Sequence, residues 1–157
     1  LERLYAECRL VRPFRRAAYD PGDRLEYEMT GVVPARRARV ARAGHPPPML
    51  YRAATGEAEE TPTAGVMVLG FDAFGEVPVT DIDLASGDVL LAYTDGLTER
   101  FSLDGDIYGE ARLLEVLKSS GAGAPERLRE AVVADLNRFA NGRPADDDQA
   151  FIALKII

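Results

Sequence analysis

The chain of 157 residues contains one cysteine, one histidine and no tryptophan. The single cysteine, Cys8, excludes an internal disulfide and makes a reducing cytoplasm the default location. The single histidine, His45, excludes a zinc centre built from several histidines. No apolar run approaches the roughly 20 residues of a membrane-spanning helix, and residues 1–5 are charged where a secretion signal would be apolar. These absences predict a cytoplasmic protein without membrane insertion.

The net charge of −7 is distributed unevenly along the chain. Residues 1–52 carry 11 basic and 6 acidic side chains, whereas residues 53–157 carry 8 basic and 20 acidic ones. The acidic part argues against general binding of nucleic acid. The arginines within residues 36–42 could contact an acidic or phosphorylated partner, or they could line a solvated strand edge.

Length and composition, with 46% hydrophobic and 29% charged residues, are typical of one globular domain. The hydrophobic pattern predicts helices over residues 1–10, 110–119 and from Pro125 to a stop at Asn141 and Gly142, and strands over residues 24–30, 38–43, 49–52, 77–84, 89–93 and 151–156. The turn at residues 85–88 suggests antiparallel pairing of its flanking strands. The last strand is apolar on both faces, which predicts a central position in its sheet. Strands followed by two helices and a strand favour an α+β sandwich.

The two late helices carry apolar residues every three or four positions. These residues should be buried against a sheet: Leu113, Leu114, Leu117, Leu128, Val132, Leu136 and Phe139.

Two acidic segments lie next to buried strands. Asp95 follows the apolar residues 89–93 and precedes a glycine, and the consecutive residues Asp146, Asp147 and Asp148 precede the last strand. An Asp-Gly pair also occurs in ordinary turns, and three aspartates after Pro144 could be a solvated loop. Clustered carboxylates are nevertheless costly to hold together unless a cation neutralises them, and hard oxygen ligands suit Mg²⁺ or Mn²⁺. The pattern therefore predicts a metal-dependent hydrolase.

Several segments resemble, in order, the motifs of bacterial metal-dependent serine/threonine phosphatases of the PPM superfamily. Within this superfamily, the segments are most similar to the type represented by stage II sporulation protein E (SpoIIE) and RsbU. The similarity covers about residues 29–157 and is carried by Ala-Gly-His-Pro-Pro-Pro at 43–48, the glycine-bounded loop 65–70, Leu-Ala-Tyr-Thr-Asp-Gly-Leu-Thr-Glu at 91–99, the helix start at 108–113 and Asp-Asp-Asp-Gln-Ala at 146–150.

The resemblance implies a four-layer αββα sandwich of antiparallel sheets with two Mn²⁺ or Mg²⁺ ions between them. It implies that Asp95 and Asp147 are the catalytic metal ligands and that Asp148 lies beside Asp147 as a further ligand. The metals of the family activate a water for attack on phosphorus, so that no covalent protein nucleophile is needed.

Two departures from the family pattern bear on these expectations. The family's first metal motif, Gly-Asp-Val-Ser-Gly-His-Gly, does not occur in residues 1–28 and is expected upstream of Leu1. Residues 1–157 are therefore expected to form a single domain that lacks its N-terminal metal-binding strand. In addition, Gln149 and Ala150 replace the usual Ile-Thr, which removes a hydroxyl beside the last ligand.

The resemblance also implies a partner, a phosphorylated regulatory protein such as an anti-sigma-factor antagonist of the STAS fold. The chain could form a homodimer, and no nucleic acid is expected. The alternative is a degenerate, non-catalytic phosphatase module that binds a phosphoprotein or regulator. A receiver-like acidic domain is disfavoured because strands and helices do not alternate. His45 could bind phosphate or act as a general acid, but its Gly- and Pro-rich surroundings favour a role in holding the loop.

Overall fold

The computed structural model describes residues 37–66 and 77–157. Over these residues the chain forms β1 (Arg37–Ala43), β2 (Met49–Arg52), β3 (Glu57–Glu60), β4 (Gly65–Val66), β5 (Val79–Asp83), β6 (Val89–Tyr93), α1 (Asp95–Thr98), α2 (Glu110–Ser120), α3 (Pro125–Ala140) and β7 (Phe151–Lys155). The helix expected in residues 1–10 and the strand expected at 24–30 lie outside the described residues. None of the helices in the described ranges combines the length and apolar character needed to cross a membrane.

The strands form two sheets with the orders β4-β1-β5 and β3-β2-β6-β7. All pairs are antiparallel except the short pairing of β1 with β4. In the four-stranded sheet Leu91 lies opposite Met49 on one side and opposite Ala153 on the other. The α+β class and the antiparallel sheets are thus confirmed.

Successive side chains of a strand point to opposite sides of a sheet. In the central strands β2 and β6, side chains on both sides are buried. Leu50 and Leu90 contribute to a core shared with Val40 of β1 and Ile82 of β5. Their neighbours, such as Leu91, pack instead in a second core together with the helices. The described residues therefore form three layers: a three-stranded sheet, a four-stranded sheet and the helices α2 and α3.

The helical core confirms the prediction from periodicity. Five of the predicted residues are almost fully buried, namely Leu113, Leu117, Leu128, Val132 and Leu136. Leu114 and Phe139 are partly buried against the same core. Pro125 occupies the first turn of α3, and Asn141 ends it in the left-handed conformation with φ 49°, as the sequence predicted.

One prediction about the sheets was wrong, and a second differs from what the described part of the sheet shows. β5 and β6 do not pair with each other, because β5 pairs with β1 and β6 pairs with β2 and β7. The turn between them carries the chain from one sheet to the other, and the buried Asp88 carboxylate holds it by accepting hydrogen bonds from the amides of Ala53 (2.9 Å) and Ala85 (3.0 Å). Among the described residues, β7 lies at the end of its sheet and not at its centre.

Candidate metal centre

Asp95 is the first residue of α1, a single helical turn that follows β6 after Thr94. Every residue of β6 is buried, which fixes the strand in the core. The Asp95 side chain accepts a hydrogen bond from the amide of Gly96 at 3.0 Å and is otherwise exposed. The buried strand thus delivers one carboxylate to the end of the sheet.

The second acidic segment, residues 146–148, lies between α3 and β7 and is exposed. The Asp147 carboxylate accepts a hydrogen bond from the amide of Asp148 at 2.7 Å. The Asp146 carboxylate forms an ion pair with Arg143 at 3.2 Å. Of the three aspartates, Asp146 is thus the one with a cationic side chain as its partner.

Direct contacts join the two acidic segments. The Thr94 hydroxyl donates to the carbonyl oxygen of Asp148 at 2.9 Å and accepts from the amide of Ala150 at 3.0 Å. The side-chain amide of Gln149 donates to the carbonyl oxygen of Gly96 at 3.0 Å. The structure therefore brings the backbone of residues 94–96 against that of residues 148–150, although more than 50 residues separate them in sequence.

Gly96 is the point of closest approach between the segments. A Cβ atom at this position would collide with the carbonyl oxygen of Asp148 and would lie 3.1 Å from its carbonyl carbon. A glycine is therefore required here by space and not by backbone angle. The local sequence pattern indicates Asp95 but gives no signal for the contacts of Thr94, Gly96 and Gln149, because these depend on residues more than 50 positions away.

Arg42 binds the backbone of the loop that contains His45. The Arg42 guanidinium donates to the carbonyl oxygens of His45 (2.5 Å) and Thr63 (2.7 Å). Nδ1 of His45 lies 3.4 Å from the carbonyl oxygen of Ala43. These contacts hold the loop mainly through its backbone carbonyls, and the role of the His45 ring stays a prediction.

The other described arginines of β1 have carboxylate partners on β5. Arg37 pairs with Asp83 at 2.8 Å, and Arg39 pairs with Asp81 at 3.1 Å. These contacts are between neighbouring strands, so both arginines serve as cross-strand ion pairs on an exposed sheet surface.

Tyr93, the last residue of β6, is not a source of negative charge in this region. Its side chain is buried, and burial raises the pKa of its hydroxyl above the ordinary value. The phenol therefore stays neutral at physiological pH.

The donor set fits Mg²⁺ or Mn²⁺ in type but is incomplete in number. Carboxylate oxygens are the preferred ligands of these ions, and the segments that carry Asp95, Asp147 and Asp148 are in contact. Within residues 37–66 and 77–157, however, no three His, Cys, Asp or Glu side chains are grouped so that they could hold a metal ion. The described residues therefore do not form a metal site by themselves, and the assignment of Asp95, Asp147 and Asp148 as ligands stays a prediction.

The fold is that of PP2C-type phosphatase domains. The chain resembles the SiaA-PP2C domain of Pseudomonas aeruginosa, with a TM-score of 0.62, 22% identity and coverage of 78% of this chain and 47% of that one. It also resembles the phosphatase domain of the cell fate determinant SpoIIE from Bacillus subtilis, with a TM-score of 0.62, 15% identity and coverage of 83% and 56%. These two comparisons define the class of fold.

The family follows from the sequence. The model of the stage II sporulation protein E (SpoIIE) family matches residues 32–157, and the chain belongs to that family. The RsbU and RsbW domains of a Mycobacterium tuberculosis protein are also similar, with a TM-score of 0.61, 27% identity and coverage of 78% of this chain and 33% of that one. No curated protein sequence matches the chain. The chain spans about half or less of the length of most of these solved structures.

Proposed function

We propose that this chain is the greater part of a protein phosphatase domain that depends on Mn²⁺ or Mg²⁺ and hydrolyses phosphoserine or phosphothreonine. Membership of the SpoIIE family supports a phosphatase. The observation that carries the proposal is the contact between the Asp95 turn and the Asp147–Asp148 segment, made by Thr94 and Gly96. Two exposed carboxylate segments that the fold presses together repel each other unless a cation lies between them.

In this proposal Asp95 and Asp147 are metal ligands and Asp148 is a further one. The ions, when bound, supply an activated water and neutralise charge on the phosphoryl group. The chain itself supplies the geometry: β6 holds Asp95 from a buried strand, and the Thr94 hydroxyl fixes the carbonyl of Asp148. Because the described ligands are too few for two ions, we propose that residues outside the described ranges, including residues upstream of Leu1, complete the site.

The proposed substrate is a phosphorylated regulatory protein, such as an anti-sigma-factor antagonist of the STAS fold. This rests on the resemblance to the RsbU and SpoIIE type and on the similar structure that contains an RsbU domain beside an RsbW domain.

The second candidate function is a non-catalytic module that binds a phosphoprotein. The absence of a three-ligand group among the described residues favours it. The two functions differ in one respect that can be measured directly, because only the enzyme requires the carboxylates of Asp95 and Asp147 for turnover.

The test compares the 157-residue chain with a version extended upstream, using a phosphorylated STAS-type protein and an aryl phosphate, with and without Mn²⁺. We expect Mn²⁺-dependent hydrolysis by the extended chain and little by the short one. Strong turnover by the short chain would show that its own residues complete the site. No turnover by the extended chain would favour the binding module.

Substitutions in the extended chain then assign the ligands. Asp95→Asn and Asp147→Asn should each reduce the rate by orders of magnitude, about 10²-fold or more if each carboxylate supports the charge on the transition state. The exposed Asp104, which lies in the loop after α1 and outside both acidic segments, provides the control Asp104→Asn. Equal effects of all three substitutions would contradict the assignment.

A further inference from the structure

Arg100 is a buried cation close to the candidate metal centre. Its side chain is 7% exposed. Its two terminal nitrogens donate to consecutive backbone carbonyls, Nη2 to Arg143 and Nη1 to Pro144. The planar guanidinium suits this arrangement because its donors point in fixed parallel directions. A residue five positions after Asp95 thus holds the chain that leads into Asp146–Asp148.

Arg143 makes the opposite connection. Its Nη1 donates to the carbonyl oxygen of Ser102 at 3.3 Å, and its guanidinium carbon lies 4.9 Å from the centre of the Phe101 ring. The same side chain pairs with Asp146. Arg100 therefore binds the backbone of residues 143–144, and Arg143 binds the backbone of Ser102. We call Arg100 and Arg143 the arginine pair.

The arginine pair and Thr94 hold the acidic segment at its two ends. The arginine pair fixes residues 143–146, whereas Thr94 fixes the carbonyl of Asp148 and the amide of Ala150. Asp147 lies between these two attachments. The surrounding residues 141–150 form no helix or strand and are largely exposed. These contacts, together with the hydrogen bond from Gln149 to Gly96, therefore hold Asp147 in place.

We infer that Arg100 is a positioning residue that sets the affinity of the candidate centre for divalent cations by fixing Asp147 and Asp148 relative to Asp95. This inference rests on the proposed function, because it assigns a role toward the same metal site. It adds a residue that touches neither the cation nor the substrate.

The sign of the effect separates positioning from simple electrostatics. A cation near a metal site repels the metal, so loss of the Arg100 charge would by itself strengthen Mn²⁺ binding. Loss of a positioning residue should instead weaken it. Residues that orient metal ligands typically change metal affinity by about 10- to 100-fold when they are replaced.

The experiment measures Mn²⁺ affinity by calorimetry in the upstream-extended chain and backbone amide exchange of the metal-free protein. Arg100→Gln should weaken Mn²⁺ binding by about tenfold or more and speed exchange in residues 145–150, while the amides of α2 and α3 exchange as before. Arg100→Lys keeps the charge but loses the two parallel donors of the guanidinium, and it should show the same changes to a smaller extent. Arg129→Gln, which removes an exposed arginine from α3, is the matched control.

Unchanged or stronger Mn²⁺ binding by Arg100→Gln would overturn the inference while leaving the proposed function intact. Faster exchange throughout the protein would also overturn it, because Arg100 would then support the fold in general. If Arg100→Gln does not fold, Arg100→Lys is judged by the same criteria. If the unmodified extended chain binds no Mn²⁺, the proposed function fails, and the inference fails with it.

Discussion

The hydroxyl of Thr94 and the carbonyl oxygen of Asp148 are 2.9 Å apart and share a hydrogen bond. Thr94 directly precedes Asp95, and Asp148 directly follows Asp147. This bond therefore joins the two halves of the candidate metal centre, through the neighbour of Asp95 on one side and the backbone of Asp148 on the other.

Replacing Thr94 by valine should loosen the junction. Valine has nearly the same shape but cannot donate to Asp148 or accept from the Ala150 amide, so we expect a loss of about 1 kcal/mol in the free energy of unfolding. Amide exchange at Ala150 should become faster. Thr94→Ser keeps the hydroxyl and serves as the control. Equal exchange at Ala150 in both variants would show that the hydroxyl does not hold this segment.

Replacing Gly96 by alanine should push the acidic segment away from α1. The added Cβ would collide with the carbonyl of Asp148, and overpacking of this kind costs about 1–3 kcal/mol. Thermal unfolding measures the cost, and Mn²⁺ titration of the extended chain measures the displacement.

Gly123→Ala is the control for this substitution, because the nearest atoms to its Cβ would be the carbonyl oxygen of Ser120, at 3.3 Å, and two atoms of Arg127 at longer distances. A folded Gly96→Ala variant with unchanged stability and Mn²⁺ affinity would contradict the packing at this point.

Lys155 should contribute more to the free energy of unfolding than Lys118 does. Its ammonium group donates to the carbonyl oxygens of three consecutive residues, Gly121 (3.2 Å), Ala122 (2.7 Å) and Gly123 (2.6 Å), and so ties β7 to the connection between α2 and α3. Lys155→Met keeps the apolar stem and should cost about 1.5–3 kcal/mol in chemical denaturation, the usual value for hydrogen bonds of a charged group.

Lys118→Met is the matched control for Lys155→Met. Lys118 pairs with Glu57 at the surface, where both side chains are largely exposed. Surface ion pairs contribute little because water screens them, so this variant should be much less affected. Comparable losses in the two lysine variants would contradict the prediction.

Acid should destabilise the contact between α2 and α3. Hydrogen bonds from Arg112 lower the pKa of the Asp135 carboxyl, and the Tyr108 hydroxyl donates to it as well. A lowered folded-state pKa gives stability that is fully present above the unfolded pKa of about 3.9 and is lost as the pH falls through the folded pKa.

Unfolding measured across the acid range tests this expectation. Asp135→Asn should destabilise the protein at neutral pH by about 1–3 kcal/mol, because it leaves Arg112 without its carboxylate. It should also flatten the dependence of stability on acid pH. An unchanged acid profile in Asp135→Asn would show that this carboxyl does not contribute to it.

Local patterns in the sequence determined most of the secondary structure and the acidic motifs. The spacing of Leu113 and Leu117, the proline at the start of α3 and the stop at Asn141 are set by interactions within a few residues. The same holds for the buried strand β6 before Asp95. The order of the motifs identified the family, which the match to residues 32–157 then showed.

Only the tertiary structure decided how these elements combine. The turn at residues 85–88 looks the same in sequence whether its strands pair or separate into two sheets, and the packing of Leu90 and Ile82 between the sheets made that choice. Likewise, Arg100 carries no local signal of its role, since its partners lie 43 and 44 residues away. Contacts between residues so far apart in sequence form only when the two sheets and the helical layer pack together. A pattern of neighbouring residues does not contain this information.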